Sequence, residues 1–357
     1  MKNIDNFIDG HLHLTEIYNK NGEHFLKGFE EYRQKCNLKA LNIAALPAGD
    51  DRDVSNNILL AFYKLVNPQD FVHGGLIYTS YPAPNPAPDN MDPLTQYKEL
   101  MEIGFDGIKM LEGKPQLHKV ISIPLCDDYY DKFFEAAEKD KTHILFHVND
   151  PEEFWDGEKV SEEIKKLGWY YGEGGYASNE EVYRQIYAIL EKHPALCVTF
   201  AHFFFYSNSP EKLIEMFEKY PNTAIDITPG SEMYRAFTSN HKYYKSFFEK
   251  YSDKILFGTD SHFPYPTEDF IALNECICNF FTSSEEFDGL YCKKIKGFAL
   301  SKEHLNKIIY SNFVDRVSEN PKKINKEALK KYIEKYKHLI GKKENLKEVE
   351  RLAKEML

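Results

Sequence analysis

The stretch Phe7–His13 reads FIDGHLH, and the fold can be worked out from it. Its first residues belong to a short apolar run of the kind that predicts a β-strand. Side chains two positions apart on a strand point to the same face, so His11 and His13 project together. Neutral imidazole is a common ligand of divalent transition metals. The stretch alone leaves two interpretations open, the start of a metal site and a strand with two ordinary polar side chains.

Seven further apolar runs follow along the chain, separated by amphipathic segments. The predicted strands are Phe7–His11, Ala40–Leu46, Phe71–Tyr78, Phe105–Leu111, His143–Val148, Cys197–Phe203, Thr223–Thr228 and Lys254–Thr259. Nearly continuous apolar strands that alternate with helices indicate parallel strands buried on both faces. Eight of them predict an α/β protein closed into a (β/α)8 TIM barrel. An open doubly wound sheet is the alternative, but no GxGxxG follows the first strand, so the barrel is favoured.

Helical segments fill the intervals between the strands. They are predicted at Leu94–Ile103, Tyr129–Lys139, Asn179–Lys192, Pro210–Lys219 and Tyr243–Tyr251. Ser178 and Ser209 stand where capping residues are expected at two of the helix starts. Beyond Ser318 the sequence is rich in Lys and Glu, which predicts helices packed outside the barrel. We therefore predict a barrel over residues 1–317 and a C-terminal helical extension over 318–357.

Two segments depart from the regular alternation. Residues 149–178 hold Trp155 and Trp169, and a long loop after a barrel strand is where lids and specificity elements occur. Three tyrosines of this loop are placed to cap a site: Tyr170, Tyr171 and Tyr176. Residues 80–93 carry five prolines, which predicts a stiff, non-helical wall or interface element.

Composition limits the classes of partner. The net charge of -11, without a basic stripe, argues against nucleic acid and against an anionic membrane. The chain opens without the apolar core of a signal peptide, and no apolar run approaches the roughly 20 residues that span a bilayer. Six scattered cysteines without a CxxC pair predict reduced thiols. We predict a cytoplasmic protein that acts on a small-molecule substrate, and a homodimer stays open.

Polar side chains recur at the C-terminal ends of the predicted strands, where barrel enzymes place their chemistry. They are His11 and His13 on strand one, Lys109 with Glu112 nearby on strand four, His147 on strand five, His202 on strand six and Asp260 on strand eight. His262 follows closely enough to line the same cleft and contact substrate. By contrast, His73 lies inside strand three and is interpreted as a core histidine. In a closed barrel the strand-end residues converge on one cavity.

Taken in order, four motifs resemble the amidohydrolase superfamily. They are DGHLH at 9–13, LFHVND at 145–150, TFAH at 199–202 and LFGTDS at 256–261. The set is most similar to the branch with aminocarboxymuconate-semialdehyde decarboxylase, aromatic-acid decarboxylases and dicarboxylate lactonases. The resemblance spans about residues 4–317 and includes IIYSNF at 308–313, similar to the Asn-containing helix that closes such barrels. It implies one divalent metal ion held by His11, His13, His147 and Asp260, with His202 beside it.

Three His and one Asp suit Zn²⁺, with Mn²⁺ or Fe²⁺ as alternatives, and leave a position for water or substrate. The ion would lower the pKa of a bound water towards ~7. Asp260 would then accept a proton from this water and later deliver it to the leaving group. His202 would hydrogen-bond the substrate carbonyl or the water.

Lys109 admits two interpretations. In binuclear members of the superfamily a lysine on strand four is carboxylated and bridges two metals, whereas an unmodified Lys109 would bind a substrate carboxylate. One metal is favoured, because the branch members with the most similar pattern are usually mononuclear. The prediction is a metal-dependent hydrolase of an amide, lactone or ester bond. The alternative is a non-oxidative decarboxylase of an aromatic or unsaturated acid; an inactive metal-binding barrel is disfavoured because the ligand set is complete.

Overall fold

The computed structural model describes residues 7–46, 53–76, 92–289 and 294–357. Nine parallel strands of these residues form one sheet in the order β8-β7-β6-β5-β4-β3-β2-β1-β9. The strands are β1 (Ile8–Leu14), β2 (Ala40–Ala45), β3 (Phe71–Gly75), β4 (Gly107–Gly113), β5 (His143–Val148), β6 (Val198–Phe200), β7 (Thr223–Asp226), β8 (Ile255–Leu256) and β9 (Ser261–Phe263). A separate antiparallel pair joins β10 (Glu286–Phe287) to β11 (Ile295–Lys296).

The sheet closes on itself because β8 and β9 together occupy the position of the eighth barrel strand. β8 pairs with β7, and β9 pairs with β1. Between these two pairings, the Gly10 N–H donates to the Phe257 carbonyl at 3.1 Å and the Asp260 N–H donates to the His11 carbonyl at 2.8 Å. The predicted α/β TIM barrel is therefore confirmed, with its eighth strand in two pieces.

Several strand boundaries differ from the prediction, and the first strand, for example, runs on to Leu14. The eighth strand ends at Leu256 and resumes at Ser261, because Asp260 has φ 55° and a left-handed residue cannot continue a strand. β6 is shorter than predicted because the backbone turns at His202–Phe205. The third strand is described as far as Gly75, and its predicted end at Tyr78 lies outside the described residues.

The turn at His202–Phe205 has an unusual backbone. Its four residues have φ values of 57°, 56°, 54° and 52°, so they form one turn of left-handed helix without a glycine. Such a conformation costs about 1–2 kcal/mol per L-residue. Because Phe203 and Phe204 are fully buried, packing of these rings offsets part of that cost. The turn is what places the His202 ring at the end of β6.

Fifteen α-helices surround the sheet in the described residues. They are α1 (Phe25–Lys35), α2 (Ser55–Val66), α3 (Pro93–Ile103), α4 (Pro115–Ile121), α5 (Asp128–Lys139), α6 (Glu162–Lys166), α7 (Asn179–Lys192), α8 (Pro210–Lys219), α9 (Ser231–Ser239), α10 (His241–Lys250), α11 (Thr267–Thr282), α12 (Lys302–Asn306), α13 (Asn312–Arg316), α14 (Lys326–Tyr336) and α15 (Lys343–Met356). None of the helices in these parts of the chain combines the length and apolar character needed to cross a bilayer.

The five predicted helices are present, with ends that differ by at most two residues. Ser178 caps α7 as predicted, since its Oγ accepts a hydrogen bond from the Glu181 N–H at 3.2 Å. The prediction that Ser209 caps α8 is wrong. Its backbone has φ −141° and ψ 57°, outside the extended geometry of a capping residue, and its side chain makes no capping bond.

The C-terminal helices pack on the outside of the barrel helices. α14 lies against α3, and α15 lies against α2. Asn345 Nδ2 donates to Ser55 Oγ at 2.7 Å, and the Gly341 N–H donates to Asp53 Oδ2 at 3.0 Å. These contacts confirm the helical extension, while the boundary at residue 317 stays a prediction.

The barrel interior contains a connected layer of polar side chains. His73 Nδ1 lies 2.7 Å from Asn42 Oδ1, and His73 Nε2 lies 2.8 Å from His143 Nδ1. His143 Nε2 lies 2.8 Å from Thr199 Oγ1, while Asn42 Nδ2 donates to the Gly10 carbonyl at 2.9 Å. Because every one of these groups has a partner, the layer can be buried without a large desolvation cost. His73 is thus a core histidine in this structure.

Candidate metal centre

Three predicted ligands, from the first and last barrel strands, meet at the C-terminal end of the barrel. His11 Nε2 lies 2.9 Å from His13 Nε2. Asp260 Oδ1 lies 3.0 Å from His13 Nε2 and 3.6 Å from His11 Nε2. Both imidazoles are buried, whereas the Asp260 side chain is 25% exposed. The structure therefore brings together, at one open mouth, residues almost 250 positions apart.

The hydrogen bonds of the two rings fix which nitrogens can bind a metal. His13 Nδ1 lies 3.1 Å from the Ala44 carbonyl, which can only accept, so Nδ1 carries the proton. His11 Nδ1 lies 2.7 Å from Asp226 Oδ2, and the carboxylate accepts that proton in the same way. Both Nε2 atoms are consequently left with lone pairs that face each other.

Electrostatics favours a cation at this point. Burial, reinforced by the Lys109 ammonium, lowers the pKa of both His11 and His13 well below 6.5, so the rings are neutral. Two imidazole lone pairs and the Asp260 carboxylate repel one another at such short range, and the Lys109 ammonium, 3.0 Å from His11 Nε2, compensates only part of this repulsion. The donor set therefore fits a divalent metal ion of the kind that prefers imidazole and carboxylate.

Asp226 supports the site, although no sequence motif pointed to it. It ends β7, and its Oδ2 accepts from the His11 ring. Its Oδ1 accepts from the N–H groups of His202 at 2.8 Å and Thr228 at 3.1 Å. Carboxylates that hold a ligand histidine through its second nitrogen orient the ring and raise its basicity. The available signal was an acidic residue inside the otherwise apolar run TAIDIT at 223–228.

Asp9 is a second positioning residue that the sequence pattern did not indicate. Its Oδ1 accepts from the N–H groups of His11 and Thr259, each at 3.2 Å. Its Oδ2 accepts from the hydroxyls of Thr259 at 2.7 Å and Tyr32 at 2.8 Å. Burial raises the pKa of Asp9 to about 6, although these hydrogen bonds act in the opposite direction. Asp9 thus joins the first strand to the loop that carries Asp260.

Gly258 allows this loop to approach the first strand. A Cβ atom at this position would lie 2.7 Å from His11 Cβ and 2.8 Å from Thr228 Cγ2. Real Cβ atoms do not approach neighbours this closely, so an added Cβ would force a shift, and His11 belongs to the paired strand β1. Glycine is therefore required for the close packing of strand one against strand eight.

His147 and His202 form a pair beside the three-residue cluster. His202 Nε2 lies 3.2 Å from His147 Nδ1 and 3.9 Å from Asp260 Oδ2. The outer nitrogens face acceptors: His147 Nε2 lies 2.9 Å from the Asn149 carbonyl, and His202 Nδ1 lies 2.9 Å from Thr228 Oγ1. The inner nitrogens again present lone pairs to each other. In the described residues His147 is not part of the cluster of His11, His13 and Asp260, so its ligation of the same ion stays a prediction.

Lys109 lies in the centre. Its Nζ is 3.0 Å from His11 Nε2, the side chain is buried, and no carboxylate oxygen of the described residues lies within ion-pair distance. Burial lowers the pKa of Lys109 to about 8, against the opposing effect of Asp260 and Asp226. Glu112 is also buried, and its Oε2 accepts from the Leu111 N–H at 2.9 Å. Lys109 is thus available to a bound carboxylate.

His262 stands at the mouth. Its Nε2 lies 3.5 Å from Asp260 Oδ1, and its ring packs 4.8 Å from the His13 ring. The side chain is 33% exposed, which is compatible with the predicted contact to substrate.

The long segment after β5 is anchored next to the site. Trp155, Trp169, Tyr170 and Tyr176 pack around the buried Phe154, Val160 and Tyr171. The Tyr171 hydroxyl donates to Asp150 Oδ2 at 2.6 Å, and Asp150 Oδ1 lies 3.6 Å from His147 Nε2. Its role as a lid stays a prediction. The proline-rich loop predicted over 80–93 lies outside the described residues as far as residue 91.

A closed parallel barrel with a His-x-His pair on its first strand and an Asp at its eighth defines a class of metal-site barrel enzymes. The model of the Amidohydrolase family matches residues 8–312, which is most of the chain and includes every clustered ligand. The chain belongs to the amidohydrolase family and is an enzyme of the amidohydrolase superfamily.

Solved structures show the same fold. An uncharacterised TIM-barrel protein from Bordetella bronchiseptica matches with TM-score 0.53 and 13% identity, over 87% of this chain and 98% of that one. The apo form of the IDCase of Metarhizium anisopliae matches with TM-score 0.52 and 13% identity, over 88% and 97%. The 4-oxalomesaconate hydratase of Rhodopseudomonas palustris matches with TM-score 0.50 and 14% identity, over 93% and 99%. No curated protein sequence matches significantly.

Proposed function

We propose that the protein is a metal-dependent hydrolase that cleaves an amide, lactone or ester bond of a small molecule. The observation that carries the proposal is the convergence of the two imidazole lone pairs and Asp260 Oδ1 at the open end of the barrel. His11, His13 and Asp260 would hold the ion, with His147 as the predicted fourth ligand. When bound, a divalent ion, most simply Zn²⁺ with Mn²⁺ or Fe²⁺ as alternatives, acts as a Lewis acid and lowers the pKa of water towards ~7.

Asp260 is the proposed general base and acid. Burial acts to raise the pKa of Asp260, but the opposing effects, of which His262 is the largest, hold that pKa well below 3.8, so the carboxylate is ionised at neutral pH. One oxygen, Oδ1, points to the two ligand nitrogens, and the other lies on the side of His202. Asp260 can therefore take a proton from the attacking water and return it to the leaving group.

His202 is the proposed partner of that water. Burial lowers its pKa to about 4, so the ring is neutral at pH 7. Its Nδ1 faces the carbonyl and hydroxyl oxygens of Thr228, which leaves Nε2 as an acceptor. In this tautomer His202 accepts a hydrogen bond from the attacking water, rather than donating one to a substrate carbonyl.

Metal content and turnover test the proposal together. We expect stoichiometric divalent metal in the purified protein, loss of lactone, ester or amide hydrolysis on chelation, and its return with Zn²⁺. The metal count also decides between one ion and two, since the facing nitrogens of His147 and His202 could accommodate a second. A protein that carries no stoichiometric metal and is unaffected by chelation would not be this hydrolase.

Decarboxylation is the second candidate, and Lys109 favours it. A buried ammonium next to the ligand nitrogens, without a carboxylate of the described residues at ion-pair distance, suits the carboxylate of an aromatic or unsaturated acid. Release of CO₂ from a panel of hydroxybenzoates would support this reaction. Turnover of a lactone without CO₂ would reject it.

We further propose a small-molecule substrate, no nucleic-acid or membrane partner, and a cytoplasmic location, all from the acidic composition and the sequence pattern. Homodimer formation is tested by light scattering on the purified protein. A monomer at all concentrations would exclude it.

A further inference from the structure

A cavity of about 510 Å³ adjoins the candidate metal centre. It is lined by α7, the start of α8, the beginning of α9 and the loop after β5. Phe205 of the left-handed turn forms part of its wall, and the Phe205 ring lies 5.2 Å from the His202 ring and 5.6 Å from the His147 ring. One aromatic side chain therefore separates the cavity from two histidines of the site.

Glu232 lines this cavity and lacks a partner for one oxygen. Its side chain is only 5% exposed, and Oε1 has no hydrogen-bond donor among the described residues. Burial raises the pKa of Glu232 to about 7, its own backbone N–H acts in the opposite direction, and Glu153 raises it further. A buried carboxylate oxygen without a donor is destabilising. A ligand that brings a donor into the cavity would remove that cost.

Other charges around the cavity favour a positively charged ligand. Glu152 and Glu180 also line it, and neither forms an ion pair with a described residue. Of the remaining charged side chains, Lys159 pairs with Asp156 at 3.0 Å, Arg184 with Glu181 at 2.6 Å and Glu153 with Arg235 at 3.3 Å. Lys212 has no carboxylate partner among the described residues, and its ammonium lies over the Tyr206 ring at 5.0 Å. Three carboxylates without an ion-pair partner thus face the cavity, against one such cation.

The walls between these carboxylates are aromatic. Tyr183 and Tyr206 stack with ring centroids 4.3 Å apart, and Tyr187 and Phe205 extend the same surface. Faces of aromatic rings attract organic cations, and Lys212 already places its ammonium over one of them. Carboxylates combined with aromatic faces recognise a cationic nitrogen on an organic molecule, and they disfavour an anion.

We propose that this cavity binds a small molecule through an alkylammonium or guanidinium group, with Glu232 as the buried partner and Glu152 and Glu180 at the rim. The cation belongs either to the far end of the substrate or to a separate ligand. Both sources require the same chemistry at Glu232.

Calorimetric titration of the metal-free protein tests the binding, so a failed hydrolase proposal does not affect the result. The probes are agmatine and butylamine, with butanol and butanoate as the neutral and anionic counterparts. We expect saturable binding of the two cations only, at least tenfold weaker in Glu232→Gln and more modestly weaker in Glu180→Gln. Glu173→Gln is the control, because it changes the charge by the same amount at an exposed residue that does not line the cavity.

Absence of saturation by either cation would overturn the proposal, and so would equal affinity of the wild type and Glu232→Gln. Thermal unfolding of each variant verifies the fold. If binding is found, p-nitrophenyl 6-aminohexanoate and p-nitrophenyl hexanoate identify the source with the metal-loaded enzyme. If the cation belongs to the substrate, the amino ester has the higher kcat/KM, this advantage is lost in Glu232→Gln, and agmatine inhibits competitively. If the cation belongs to a separate ligand, the two esters have equal kcat/KM.

Discussion

Replacing Asp226 by Asn should weaken metal binding without unfolding the barrel. Asp226 Oδ1 accepts from two backbone N–H groups and from the Thr228 hydroxyl, so the single oxygen of an asparagine must occupy that position. The amide nitrogen then faces His11 Nδ1, where the wild type has Oδ2 at 2.7 Å. An amide N–H is a donor, and it favours the tautomer in which the His11 proton sits on Nε2. That tautomer has no lone pair for a metal.

The magnitude follows from the bond that is lost. A hydrogen bond to a charged group contributes about 1.5–3 kcal/mol, and about 1.4 kcal/mol corresponds to tenfold in Kd. We therefore expect Zn²⁺ to bind Asp226→Asn about 10- to 100-fold more weakly, which is the range typical of outer carboxylates that hold ligand histidines.

Competition with a chelating indicator at pH 7.5 measures the Zn²⁺ affinity, and circular dichroism verifies the fold. Asp70→Asn is the matched control. Asp70 is also a buried carboxylate, with its pKa raised to about 6 by burial, but its partners are the Tyr63 hydroxyl, the Leu41 N–H and the Arg33 guanidinium. Its substitution should leave the Zn²⁺ affinity unchanged. If Asp226→Asn binds Zn²⁺ within twofold of the wild type, the tautomer argument is incorrect.

Three further predictions address the base, the packing of the site and the buried acid. Asp260→Asn should abolish turnover while the Tm stays within a few degrees; undiminished turnover would remove Asp260 from the mechanism. Gly258→Ala should lower the free energy of unfolding by about 1–3 kcal/mol in urea titrations, because the new Cβ overlaps His11 and Thr228; equal stability would show that the loop yields. Glu232→Gln should be more stable than the wild type by about 2–3 kcal/mol above pH 7 and equally stable near pH 4. The sign follows because folding raises the pKa of this carboxyl, so the wild-type protein loses stability as the pH rises from the unfolded-state pKa to about 7. A stability difference that does not change with pH would contradict this expectation.

Much of the barrel and part of the site could be predicted because they depend on local patterns. Alternating apolar runs and amphipathic segments are properties of neighbouring residues, and they located all eight barrel positions. His11, His13 and Asp260 were found because each follows or ends such a run. Their convergence was inferred from the closure of the barrel, and the structure brings these three side chains into one cluster.

The features that were missed depend on contacts between distant residues. Asp226 and Asp9 are acids in strands, and only the three-dimensional structure shows that one holds a ligand ring and the other joins two strand ends. The left-handed turn at His202–Phe205 contains no glycine, so local propensity indicated a continuing strand. The break in strand eight was missed for the same reason. Asp260 adopts φ 55°, and aspartate tolerates this left-handed conformation, but its presence in a sequence does not predict it.

The divided eighth strand has a consequence for how the protein matures. Its second piece, β9, pairs with β1 along His13 and His262, so the contact that completes the sheet also brings Asp260 to the two histidines. A chain with strands one to seven in place but strand eight undocked would have no three-ligand cluster. Loop closure over such a sequence separation is expected late in folding. Fully folded molecules should therefore bind the metal, whereas partly folded ones should not. The bound metal should also stabilise the pairing of β9 with β1, the last barrel contact to form.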